Sequence, residues 1–217
     1  MHEELSLKDN NSMYLKRLSD KIWLTRNARF NAARRMKRNH ISSTASVALL
    51  SASVIAVNLM AFIDGTCESD KTLITIASII LSTFAMVMSL LIALLRYESR
   101  EENYHQCGME LESLNQKICI RIEELTPNGA NPDNIVSSKE DNLKYQGDYV
   151  GILRKYNLNH TMFDYEYGSL SDTSKSPSPR IIWWLRLRMY IFDVYVLYWI
   201  IAVFPMVAIF ILFAMCI

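Results

Sequence analysis

The sequence lacks most of what a nucleotide- or metal-dependent enzyme requires. It has no glycine-rich phosphate loop and no Walker motif, so no backbone cradle for a nucleotide phosphate is expected. It has 4 cysteines but no Cys-x-x-Cys pair. His105 and Cys107 stand two residues apart, which points them to different helix faces, and a zinc site needs four converging ligands. No catalytic residue set, cofactor site or metal site is therefore expected. Charge of one sign is also missing, since the formal net charge is +1 with 21% charged residues. No global bias points to a partner, and without a basic stripe interleaved with aromatics, direct nucleic-acid binding is not expected. No alternating apolar pattern indicates a strand.

The most informative absence is local. Residues 42–63, 73–95 and 195–217 contain no Asp, Glu, Lys, Arg or His. A helix rises about 1.5 Å per residue and the hydrocarbon layer is about 30 Å thick, so roughly 20 apolar residues span it. All three runs exceed that length. A cleaved signal peptide does not account for the first run, which starts far from the N-terminus and is soon followed by the second. The first two runs read as a transmembrane helical hairpin joined by residues 64–72. Arg26, Arg29, Arg34, Arg35, Lys37 and Arg38 precede the first span without an intervening acid, whereas the connecting loop carries Lys71 against Asp64, Glu68 and Asp70. Positive charge stays on the cytoplasmic side, which predicts a cytoplasmic N-terminus in a multi-pass protein. Arg96 and Arg100 then follow the second span inside, and Arg180, Arg186 and Arg188 precede the third. Cys67 and Cys216 fall on the outer side of this topology, where a disulfide between them is permitted but not required.

The expected fold is an all-α membrane protein: a hairpin, a third C-terminal transmembrane helix and a cytoplasmic helical bundle. A cytoplasmic helix is expected over 12–41, carrying the stripe Tyr14, Leu18 and Ile22. A second, over 96–125, shows Tyr104, Cys107, Leu111, Leu114, Ile118, Ile122 and Leu125 at three- and four-residue spacing, one apolar face in need of a partner. It is expected to continue from the second span without a break. The capping box Ser137 to Glu140 starts a further helix, placed over 138–157, with Leu143, Gln146, Val150, Leu153 and Tyr156 on one side. Residues 168–180 are rich in Ser, Asp and Pro and read as a linker. Trp183, Trp184 and Tyr190 with Arg186 and Arg188 form an interfacial anchor, so 181–217 holds the anchor and the third span.

Polar groups inside the spans have two readings. Thr75, Ser78, Ser82, Ala85 and Ser89 recur at 3, 4, 3, 4 spacing in the second span. Thr44, Ser51 and Asn58 repeat every seventh residue in the first, beside Ala48, Ala52 and Ala56. Small side chains let helices approach closely and hydroxyls bond across the gap, which describes a packing seam. The same seam would line a wettable path when several copies assemble, because two or three spans are too thin to enclose a channel. Asn58 is the most polar group within a span and the leading filter or contact residue. Asp193 is expected at headgroup level, and Pro205 is expected to kink the third helix. The cluster Arg34, Arg35, Lys37 and Arg38 is assigned to topology and anionic lipid, at about 1 kcal/mol per charge near the surface.

A combination of segments carries a resemblance. A basic helix (residues 25–36, TRNARFNAARRM) feeds the hairpin, then come Arg96-Tyr97-Glu98 and Asn103-Tyr104-His105 ahead of a long amphipathic helix, and later Tyr156-Asn157-Leu158-Asn159-His160 with Asp164-Tyr165. In this order they resemble the SLATT domain family of bacteria and archaea, over roughly 12–167, within a SLATT-like domain placed at 1–167. The resemblance implies a membrane effector of antiphage defence in the bacterial inner membrane. Its partner would be a separately encoded sensor, such as a reverse transcriptase or a cyclic-oligonucleotide synthase. It also implies perforation or depolarisation of the membrane when triggered, and because so few spans cannot enclose a path, a homo-oligomer is expected. The third span departs from the minimal two-span pattern. Within the matched segments, His160 and Asp164 would lie one helical turn apart and lock the cytoplasmic bundle by a hydrogen bond. Two rivals stand beside the pore: a non-conducting membrane anchor or scaffold for a nucleic-acid-handling or nucleotide-signalling partner, and a lipid enzyme needing a reactive residue among His160, Asp164 and Asp193.

Overall fold

The computed structural model describes residues 14–60, 68–125 and 139–158, with 164, 180, 183, 184, 187, 196, 198–200, 203 and 207. Regular structure among the described residues is entirely helical: α1 (Tyr14–Met60), α2 (Glu68–Leu95), α3 (Tyr97–Leu125) and α4 (Lys139–Tyr156). The length of α1, 47 residues, follows from an interior with no Gly or Pro. The helices divide between two compact units, Met1–Arg34 with Arg100–Ile182, and Arg35–Ser99 with Trp183–Ile217.

In the first unit, the start of α1 packs with α3 and α4 around Leu15, Leu18, Ile22, Cys107, Leu111, Leu114, Ile118 and Tyr149. The expected stripe on α3 is thus its buried face, with Ile122 and Leu125 packed at the edge. On α4, Val150, Leu153 and Tyr156 of the expected side pack against this core, but its most buried aromatic residue lies off that side. Leu143 is 61% exposed, whereas Tyr149 is 6% exposed. The reason is polar: the Tyr149 hydroxyl lies 3.1 Å from Thr25 Oγ1, so the phenol fills the core site and still satisfies its oxygen. The helix ends where expected. Asn157 takes a φ of 43° and its N–H donates to Leu153 O at 3.1 Å, closing the last turn with a residue type that tolerates this backbone.

Gly108 shows how tightly α1 and α3 approach. A Cβ built there would sit 2.8 Å from Cε1 of Phe30, closer than carbon atoms allow. Gly108→Val is expected to cost about 1–3 kcal/mol in denaturant unfolding through overpacking. Adding Phe30→Ala should recover a measurable part of that loss, because it removes the atom that clashes. Two additive losses would show that the helices separate at no cost.

In the second unit, α1 buries Asn39, Ser43, Ser46, Leu50, Ser53 and Val57, again at four- and three-residue spacing. Much of the remaining surface is apolar, with Ile76, Ile79, Ile80, Leu90 and Leu94 of α2 all exposed. Two stretches, Tyr14–Leu59 and Ile74–Leu125, are long and apolar enough to cross a membrane, and only 33% and 17% of their most apolar windows are buried. A soluble core helix buries most of such a window, while lipid accepts the exposed surface. The second of these stretches is not one helix. Arg96 has a φ of 47° and separates α2 from α3, which corrects the expectation of an unbroken run. No glycine or proline marks the place, so the turn was invisible in the sequence.

The third charge-free run is described only in part. Tyr198 is buried, and Trp199, Ile200, Val203 and Val207 are exposed and helical. Asp193, Pro205, Ser137, Cys67 and Cys216, and the linker apart from Arg180, lie outside the described residues.

Candidate functional site

The polar groups of the membrane unit fall into two sets. Thr44, Ser51, Thr75 and Ser82 are exposed, and each hydroxyl donates to a carbonyl of its own helix: His40, Val47, Lys71 and Ile79, all at 2.9 Å. Such back-bonding satisfies the hydroxyl without a neighbouring helix. Ser89 is exposed as well. Among the described residues these five make no hydrogen bond to a second helix.

The second set joins elements. The Ser78 hydroxyl donates to Asn58 Oδ1 at 2.7 Å, linking α2 to α1 across the hairpin. Ser78 and Ala85, seven residues apart, are the buried members of the second-span series. Asn58 itself is exposed, and its amide NH2 makes no hydrogen bond among the described residues. Ser46 was not foreseen. Its hydroxyl lies 2.7 Å from Ser42 O and 2.8 Å from Tyr198 O, so its one proton can bond within α1 or to the C-terminal segment. Tyr198 also brings its hydroxyl to 3.1 Å from that of Tyr97. The signal that could have found Ser46 is the 39, 43, 46, 50, 53, 57 spacing, which includes Leu50 and Val57. Counting polar residues alone selected the opposite face through Thr44 and Ser51.

The bundle unit carries the charged cluster. Glu110 of α3 accepts from Lys155 Nζ, and from the Tyr156 hydroxyl at 2.8 Å. These groups line a shallow depression with Asn103, Gln106 and Met109. Arg26 pairs with Glu112, and Arg121 with Asp141 at 3.0 Å, joining α3 to α1 and to α4. The hydrogen bond from Lys155 holds the Glu110 carboxyl below its usual range and raises Lys155 in turn. Burial pushes the Tyr156 phenol up, reinforced by Glu110.

The sign of the pH effect follows. A carboxyl whose folded-state pKa is depressed adds stability above its unfolded value, about 4.3, and that stability is lost as pH falls through the folded value. Chemical denaturation between neutral pH and pH 3 is expected to show a steeper acid loss in the native chain than in Glu110→Gln. Identical slopes would mean that the pair forms no net link, as at many exposed ion pairs.

Cys107 is fully buried, and burial pushes its thiol up despite the opposing charge of Arg29. A thiol in this state is inert packing rather than a nucleophile. His105 is exposed, with its ring 5.6 Å from that of Phe30, so the two neighbours do face different ways. Asp164 is 1% exposed within the bundle unit, and His160 lies outside the described residues. Arg34 and Lys37 are exposed, and Arg35 and Arg38 half-buried.

The geometry is that of two apolar hairpin helices with polar ties, and a helical bundle with ion pairs. Comparison with known proteins agrees with it. No curated protein and no solved structure matches the chain. The family model described as SMODS and SLOG-associating 2TM effector domain family 5 matches residues 11–211, reaching well past the 12–167 suggested by the motifs and through most of the third charge-free run. The chain belongs to this SLATT family of two-span membrane effectors, whose name associates it with SMODS and SLOG partner systems.

Proposed function

We propose that the chain is a pore-forming effector of antiphage defence, acting in the bacterial inner membrane with its N-terminus and helical bundle in the cytoplasm. Family membership supports the coarser part, a membrane effector of antiphage systems. The observation that carries the finer part is Asn58. An amide on an exposed face of a membrane helix, with its NH2 unpartnered among the described residues, is unfavourable against lipid. It becomes favourable against water or a second copy. Several copies arranged around Asn58, with Thr44, Ser51, Thr75, Ser82 and Ser89 on exposed faces, form a wettable path. The 195–217 segment serves as a third span in this reading.

A separately encoded sensor, such as a reverse transcriptase or a cyclic-oligonucleotide synthase, supplies the trigger by binding the bundle more tightly in the open state. The chain itself performs no catalysis and needs no cofactor. His160 and Asp164 serve as a lock within the bundle, and Arg34, Arg35, Lys37 and Arg38 meet anionic lipid.

One observation favours a second reading, a non-conducting anchor or scaffold. The exposed hydroxyls bond their own backbone carbonyls, so lipid can cover them at little cost. Membrane potential separates the two. A voltage-sensitive dye in cells carrying this chain and its genomic neighbour is expected to report rapid depolarisation on phage challenge, abolished by Asn58→Leu. Protection with an unchanged potential would remove the pore and leave the scaffold.

A further inference from the structure

The turn at Arg96 is held against the preference of its own backbone. Its φ of 47° is disfavoured for any residue with a Cβ, and neither Gly nor Asn stands there to relieve it. The residues on both sides are helical, so an unbroken helix through Arg96 is the natural competing state. Something must oppose it. The first residue beyond the turn is Tyr97, which is 6% exposed, and its hydroxyl meets that of Tyr198 at 3.1 Å. Tyr198 is 3% exposed, and its backbone carbonyl lies 2.8 Å from the Ser46 hydroxyl. A single residue of the C-terminal segment therefore ties α1 to the first turn of α3. Both ties are directional contacts between buried groups, the Ser46 proton being shared with Ser42 O at 2.7 Å, and apolar packing of membrane helices does not require them.

We propose that Tyr198 is a latch: its carbonyl on Ser46 and its hydroxyl on Tyr97 hold the strained turn at Arg96, and release lets α2 and α3 run on as one helix. Tyr198 is thereby a regulatory residue rather than a lining one. The latch rests on this geometry, whereas its use as a gate rests on the pore reading. Backbone strain at Arg96 sets the direction of the change, and the two hydrogen bonds set the threshold.

The test is a distance measurement by double electron–electron resonance on the full chain in lipid nanodiscs. Spin labels go on Thr83→Cys and Glu102→Cys, both exposed positions, with Cys67, Cys119 and Cys216 replaced by serine. Along a continuous helix these positions, 19 residues apart, are separated by about 28 Å, and a bend brings them closer. Tyr198→Phe keeps the ring and removes one bond; Ser46→Ala removes the other. Each is expected to raise the ratio of the longer to the shorter distance roughly two- to tenfold, the effect of one lost hydrogen bond. Arg96→Gly relieves the strain and should lower the same ratio. Distributions unchanged in both Tyr198→Phe and Ser46→Ala would overturn the latch. If the distances shift as expected but no variant alters phage-triggered depolarisation in cells, the use of the latch as a gate falls and the latch stands; if the native chain itself gives no depolarisation, the pore reading falls.

Discussion

Replacing Arg29 by methionine is expected to stabilise the bundle, by about 1–4 kcal/mol. Arg29 is 4% exposed, and neither its Nε nor its Nη1 has a hydrogen-bond partner among the described residues. Its guanidinium lies 5.8 Å from the centre of the Tyr104 ring, and its neighbour Cys107 is a neutral thiol at ordinary pH. A quadrupole and a weak acceptor return only part of what a cation loses on leaving water. Methionine keeps the unbranched stem and removes the charge. Thermal unfolding of the purified chain in detergent measures the change. A lower midpoint in Arg29→Met would show that the folded protein supplies an anion to this site. The contrast with Arg26 is instructive, because Arg26, one turn earlier on the same helix, is paired with Glu112. Removing that cation leaves a carboxylate behind, so Arg26→Met should move stability the other way.

Leu111→Ala is expected to cost about 2–5 kcal/mol, the largest loss from a single substitution in the bundle. Leu111 is fully buried among Leu15, Leu18, Ile22, Leu114 and Ile118. Truncation removes its transfer free energy and leaves a cavity between helices that cannot close without moving the aromatic and ionic contacts on either side. The loss should appear in urea unfolding as a lower midpoint with an unchanged slope. An effect below about 1 kcal/mol would mean that α1 and α3 collapse onto the site, and the packing would then be looser than the buried core implies. Leu143→Ala is the internal control. Leu143 occupies the face expected from periodicity but is exposed, so its replacement should change little.

How far the sequence reveals this arrangement depends on how local the cause is. The two hairpin spans are legible because an uninterrupted apolar run has one physical solution in lipid, an internally hydrogen-bonded helix. The face of α3 is legible because Tyr104, Cys107, Leu111, Leu114 and Ile118 repeat at the helical period with few competing apolar positions. On α4 that condition fails. Tyr145, Tyr149 and Ile152 compete with Leu143, Val150 and Leu153, and the tie from Tyr149 to Thr25 turns that tyrosine inward. In the first span, serines stand on both sides of the helix. Ser46 and Ser53 are buried and Thr44 and Ser51 are exposed, a difference that composition does not encode.

The sequence by itself thus determined that this is an all-helical membrane protein of the SLATT family, with a hairpin and an amphipathic helix following it. Those features are properties of short segments: charge-free length, helical period and the order of motifs. Only the tertiary structure decided which hydroxyls turn inward, that Arg29 is buried with no hydrogen-bond partner for its Nε and Nη1 among the described residues, and that the chain turns at Arg96. Each of these is set by groups far apart in sequence, such as Ser46, Tyr97 and Tyr198. These groups come within hydrogen-bonding distance only once the helices are packed.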